Sequence, residues 1–152
     1  MNHKEDRRYM GMAHTQKQKA TCIRMGVGAV IVSNCSQQLI LGKGFNGPPG
    51  QCISCASKGC VRIQQGIPSG TRAETCRGLH AEQRALLDAL EQEQQVIDAT
   101  LYCTHFPCSI CAKLLIGAGI MEVVYREDYP DDLAKELFAE AGVTTRQYKE
   151  NL

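Results

Sequence analysis

The chain has 152 residues, 43% hydrophobic and 22% charged, an ordinary globular composition at a length that suits one domain over 1–152. Lys plus Arg is 17 and Asp plus Glu is 16, so the net charge of +1 gives no broad electrostatic grip on nucleic acid. The longest apolar run, around Val27 to Val32, is far shorter than a membrane span, and the polar N-terminus is unlike a secretory signal; a cytoplasmic setting is expected.

Residues 4–20 are polar, with a weak apolar stripe of Tyr9, Met10, Ala13 and Ala20, and are expected to form a helix. Residues 27–32 are β-branched and continuous, the pattern of a strand buried on both faces. Asn34 to Gln37 is a turn, and Gln38 to Phe45 its hairpin partner. Residues 46–79 differ from everything around them. They hold Gly47, Pro48, Pro49, Gly50, Gly59, Gly66, Pro68, Gly70 and Gly78, with no period, and four of the nine cysteines: Cys52, Cys55, Cys60 and Cys76. A long irregular segment inside a compact domain is usually functional, or is ordered by something it binds.

From His80 the pattern turns helical, with Ala81, Ala85 and Ala89 four apart on one face through about Glu93. Ala99 to Thr104 reads as a strand. Cys108 to Ala118 reads as a helix with Pro107 before its first turn; it is apolar nearly all round and is expected to be buried. Glu122 to Tyr125 is a strand, Asp131 and Asp132 open a helix that closes near Gly142, and Val143 to Tyr148 is a last strand. This order predicts a three-layer α/β domain with a mixed five-stranded sheet, antiparallel first and parallel later.

Two short stretches carry the chemistry. His80-Ala81-Glu82 and Pro107-Cys108-Ser109-Ile110-Cys111 read together as H-x-E…P-C-x-x-C, which matches the pattern of zinc-dependent nucleobase deaminases. Cys108 and Cys111 are three apart in the first turn of one helix, where free N–H groups and the helix dipole favour thiolate. With His80 they make three protein ligands to Zn²⁺ and leave the fourth tetrahedral position open to water. Glu82 is two residues from His80, near the metal but not aimed at it. A buried carboxyl there suits a group that takes and returns protons, and the reaction class is hydrolytic removal of an exocyclic amine. No disulfide framework is expected of nine cysteines in a reducing setting; metal ligands and buried thiols are, and Cys35 and Cys103 read as structural.

Further stretches resemble deoxycytidylate (dCMP) deaminase, closest to its compact bacterial branch. They are Gly26-Val27-Gly28-Ala29-Val30-Ile31-Val32, Gly44-Phe45-Asn46-Gly47, Thr104-His105-Phe106-Pro107-Cys108, Ala118-Gly119-Ile120 and Tyr129-Pro130-Asp131, spread over about residues 20–143. The resemblance implies a cytidine-deaminase-like α-β-α fold, hydrolysis of dCMP to dUMP for the thymidylate supply, homo-oligomers, and dCTP and dTTP as effectors. It also implies substrate contacts at Asn46, on the sugar, and at Tyr129. Ala81 is a further candidate contact, and because a monophosphate needs a cation, Arg24 just before the first strand is the candidate for the phosphate. Gly42-Lys43-Gly44-Phe45-Asn46-Gly47 also fits a dinucleotide-binding G-x-G-x-x-G, but Pro48-Pro49-Gly50 follows where a helix is required, so that reading fails.

Cys22, Cys55, Cys60 and Cys76 fall where the resemblance places cysteines, and a structural Zn²⁺ on them would order residues 46–79. Cys52 is an additional cysteine. Separate buried thiols are the other reading of the four. Two alternatives to dCMP hydrolysis stay open: a tRNA adenosine or other nucleobase deaminase, and a non-catalytic zinc-stabilised interaction module. Glu82 favours an enzyme, because a structural site has no use for a carboxylate beside its histidine.

Overall fold

The computed structural model describes residues 2–150. In chain order its elements are α1 (His3–Lys17), β1 (Gly28–Val32), β2 (Ile40–Phe45), α2 (Cys55–Lys58), α3 (Val61–Gln64), a 3₁₀ turn (Ala73–Thr75), α4 (Ala81–Glu91), β3 (Thr100–His105), α5 (Ser109–Ala118), β4 (Glu122–Glu127), α6 (Asp132–Glu140) and β5 (Thr144–Gln147). The sheet order is β2-β1-β3-β4-β5. β1 runs antiparallel to both β2 and β3, while β3–β4 and β4–β5 are parallel. The expected mixed five-stranded sheet and its antiparallel-then-parallel order are therefore present.

All five residues of β1 are buried, and the period of two divides them between two cores. Ala29 and Ile31 join the core that holds Ala81 and Ala85 of α4, Ala112 and Leu115 of α5, and Phe138 of α6. Val30 and Val32 face the other way, onto Tyr9, Met10 and Ala13 of α1. The sheet is thus the middle of three layers.

Glycine alternation on β2 sets how closely α4 lies. A Cβ on Gly42 would stand 2.2 Å from the Ala85 carbonyl oxygen, and one on Gly44 would stand 2.1 Å from that of Ala81. Small residues on both surfaces let helix backbone approach strand backbone. This is the physical role of the G-x-G that resembles a phosphate loop in sequence.

Three expectations are corrected. The helix at 108–118 is buried on one face only. Cys111, Ala112 and Leu115 are inside, whereas Leu114 is 46% exposed, because a helix on the outside of a sheet has one face to bury against it. Cys35 is exposed on the β1–β2 turn, hydrogen-bonded to Ser33 Oγ at 3.0 Å, so it is not a core thiol; Cys103 is fully buried. Residues 46–79 are not wholly irregular: they contain two four-residue helices and a 3₁₀ turn, too short to show a period.

Candidate active site

Helix starts and strand ends assemble the site. His80 is the N-cap residue of α4, where its backbone N–H donates to Gln83 Oε1 at 2.8 Å. Cys108 is the N-cap residue of α5, after β3 has ended and Pro107 has turned the chain. Asp131 fixes that second helix start. Its buried carboxylate accepts from Ser109 N–H at 2.8 Å and from Ala134 N–H at 3.0 Å, so one side chain caps the first turns of α5 and α6 together. Sequence marked Asp131 only as an opener of α6.

His80 Nδ1 lies 3.3 Å from both Cys108 Sγ and Cys111 Sγ. Among the described residues, this trio is the group of His, Cys, Asp and Glu whose ligand atoms all fall within 4.8 Å of one another. One imidazole and two thiols converging this closely fit Zn²⁺, whose protein sites use that donor set. A hydrogen bond with Cys111 holds the Cys108 thiol down to about 4, against burial, with help from His80. The site therefore offers a thiolate at neutral pH.

Glu82 is 4% exposed, and its carboxylate oxygens lie 3.6 Å from Cys103 Sγ and from Cys111 Sγ. Burial pushes its carboxyl up, opposed by the His80 charge and reinforced by Cys108. Cys103 thus has a place beside the acid that sequence did not assign to it.

One cavity is lined by His80, Glu82 and Cys108 and also by Arg24, Asn46, Ala81 and Tyr129. His80, Cys108, Glu82 and all four substrate-contact candidates thus share a single surface, with Cys111 buried behind it. The Asn46 amide is partly committed to backbone: Oδ1 accepts from Val27 N–H at 2.8 Å, and Nδ2 donates to the Met25 carbonyl at 2.7 Å. One N–H and one lone pair remain for a ligand. The Tyr129 hydroxyl accepts from Gly70 N–H at 2.9 Å. Arg84 holds the turn around Asn46 from behind, donating to the Phe45 carbonyl at 2.8 Å and lying over the Phe45 ring at 4.5 Å.

His105 also lines the cavity. Thr104 Oγ1 accepts from Gly28 N–H and lies within hydrogen-bond distance, 3.1 Å, of His105 Nδ1. Burial, then the Lys17 charge, hold the imidazole below its ordinary range.

Cys22, Cys55, Cys60 and Cys76 line one small neighbouring pocket. Burial raises the Cys55 thiol, and the other three add to that rise through their charges. The four are thus near neighbours, but they are spread more widely than the His80 trio. Cys52 is exposed and does not line that pocket.

Arg62 was not legible in sequence. It lies on α3, is 7% exposed, and lines the same cavity as Glu82.

A family model described as the cytidine and deoxycytidylate deaminase zinc-binding region matches residues 3–127. The deoxycytidylate deaminase of Saccharomyces cerevisiae is 35% identical over 144 residues, covering 94% of this chain but 44% of its own length. The chain therefore spans less than half of that relative. Deoxycytidylate deaminase of Mycobacterium phage D29 is 34% identical over 128 residues, covering 81% of this chain and 94% of that protein. The crystal structure of dCMP deaminase from cyanophage S-TIM5 in complex with dCMP and dUMP superposes with a TM-score of 0.77 at 28% identity, covering 97% of this chain and 99% of that one.

Proposed function

The chain belongs to the cytidine and deoxycytidylate deaminase family, and from that premise we propose that it hydrolyses dCMP to dUMP and ammonia as one zinc-dependent domain over 1–152. The carrying observation is the buried Glu82 carboxyl against the His80–Cys108–Cys111 trio, in a cavity whose other walls include Arg24 and Tyr129. Relatives named for the same reaction, and a similar structure that holds dCMP and dUMP, support this choice of substrate.

His80, Cys108 and Cys111 would hold a Zn²⁺. Bound there, Zn²⁺ supplies Lewis-acid activation of the attacking water. Glu82 takes one proton from that water and places it on ring N3 as the oxygen bonds to C4. It then carries the second proton to the exocyclic amine, the C4–N4 bond breaks, and ammonia leaves with dUMP as product. A carboxyl whose protonated form is favoured by burial suits a group that must both accept and return a proton near neutral pH. Asn46, Ala81 and Tyr129 orient the nucleoside, and Arg24 meets the phosphate.

The same reading includes a second, structural Zn²⁺ on Cys22, Cys55, Cys60 and Cys76, which would order the segment between β2 and α4. Metal analysis is expected to give two zinc per chain, falling to one in Cys60→Ser; one zinc per chain in both proteins contradicts this. Homo-oligomers, dCTP and dTTP as effectors, and a cytoplasmic location complete the reading. Exposed Leu87 and Leu90 on α4 and Leu114 on α5 supply apolar surface for assembly. Among the described residues no helix is long and apolar enough to cross a membrane.

An ammonia-release assay across dCMP, CMP, deoxycytidine and a tRNA anticodon stem tests the function. Release from dCMP above all others is expected. Release from none of the four defeats the enzyme reading, and release from the tRNA stem alone moves the chain to a different branch of chemistry.

A further inference from the structure

Arg62 is almost wholly buried, yet it has no carboxylate partner. Its Nη2 donates to the carbonyls of Pro68 and Thr71 at 3.2 and 2.9 Å, and its Nε is buried without a hydrogen-bond partner. Arg24 repeats the pattern: Nη2 donates to the Ile67 carbonyl at 2.7 Å and reaches Ser69 Oγ at 3.3 Å, while Nη1 is buried and unpartnered. Neither guanidinium takes part in an ion pair among the described residues. Burying the Arg62 cation without a carboxylate is costly, and the half-buried Arg24 adds a second incompletely bonded guanidinium to the same cavity wall, a pairing suited to an anion.

We propose that Arg62 joins Arg24 in an anion subsite that reads the 5′-phosphate of the substrate, and that Arg62 determines specificity for nucleotide over nucleoside. This rests on the cavity being a nucleotide deaminase site. A phosphate offers acceptors to both side chains once their closed-in N–H groups turn toward the cavity, and guanidinium is the side chain best matched to it. A further consequence follows from the ties already present. Each residue from Ile67 to Thr71 bonds to a cavity side chain: Ile67 and Ser69 to Arg24, Pro68 and Thr71 to Arg62, and Gly70 to Tyr129. The groups that meet the phosphate are those that hold this loop, so binding the anion also stiffens the loop over the substrate.

The test is the ratio of kcat/KM for dCMP to that for deoxycytidine, in wild type, Arg62→Gln and Arg62→Lys. In Arg62→Gln the ratio is expected to fall about 30-fold, mostly through KM for dCMP, the size of a lost charge-assisted contact. Turnover of deoxycytidine should fall less than that of dCMP, whereas a merely structural defect would lower both alike. Should Arg62→Gln lack a cooperative melt, Arg62→Lys decides, with an expected fall of about tenfold because an ammonium lacks the planar fork. An unchanged ratio in a folded variant overturns the proposal. If wild type turns over neither compound, the functional reading fails separately, and the subsite is tested by melting. The extra stabilisation by dUMP over deoxyuridine must then be present in wild type and lost in Arg62→Lys, and its retention overturns the proposal.

Discussion

Two arginine environments lie on opposite faces of one sheet. On the α1 face, Arg146 of β5 is closed by carboxylates: it pairs with Asp6 at 2.6 and 2.7 Å and with Glu122 at 2.7 Å, and Tyr102 donates to Asp6 at 3.0 Å. On the other face, Arg24 and Arg62 have carbonyls and a hydroxyl but no carboxylate, and each keeps a buried N–H unpaired. The first cluster is complete without a ligand and ties the N-terminal helix to the last strand. The second keeps donors that an anion can meet. A satisfied charge cluster contributes to stability, whereas an unsatisfied one in a cavity wall marks recognition.

The comparison breaks if changes on the two faces have the same consequences. Glu82→Gln, on the cavity face, should lower kcat about 10³-fold. It should leave the melting temperature unchanged or higher, since it removes a buried carboxyl; a large loss of stability with activity retained would reverse the assignment. Gly44→Ala tests the seat of α4. A Cβ there meets the Ala81 carbonyl oxygen, so backbone must shift, at a cost of about 2–3 kcal/mol in urea unfolding. Activity should fall too, because His80 and Glu82 ride on that helix. Asp6→Asn, on the α1 face, should cost about 1–2 kcal/mol of stability, with kcat/KM for dCMP within twofold of wild type.

The smallest effect is on acid stability. Burial raises the Asp6 carboxyl, but bonds from Arg146 and Tyr102 and the Arg146 charge outweigh it, so its folded pKa lies below the ordinary 3.8. Its contribution is therefore present above pH 3.8 and is lost as pH falls through the lower folded value. Wild type should lose stability more steeply than Asp6→Asn below about pH 4, as followed by urea midpoints. Parallel curves would mean that Asp6 does not titrate differently on folding.

The zinc trio and Glu82 were legible because their spacing is local. Cys108 and Cys111 share one helical turn and His80 and Glu82 open another, and the H-x-E…P-C-x-x-C pattern joins the two pairs. The antiparallel-then-parallel sheet was legible because a short turn joins the first two strands and helices separate the later ones. Arg62 was hidden for the opposite reason: it lies in the segment without a period, and burial of a charged side chain there is set by distant carbonyls at Pro68 and Thr71. Gly42 and Gly44 carried a misleading local pattern, since their partner is a helix some forty residues on. Leu114 misled as well, because an apolar helix surface does not say whether the chain itself covers it.

The most direct measurement is a crystal structure of the zinc-loaded protein with dUMP. Phosphate oxygens are predicted within about 3.2 Å of Arg24 Nη1 and Arg62 Nε, with the base ring beside Glu82. A phosphate turned to solvent, with both N–H groups still unpaired, would contradict the account.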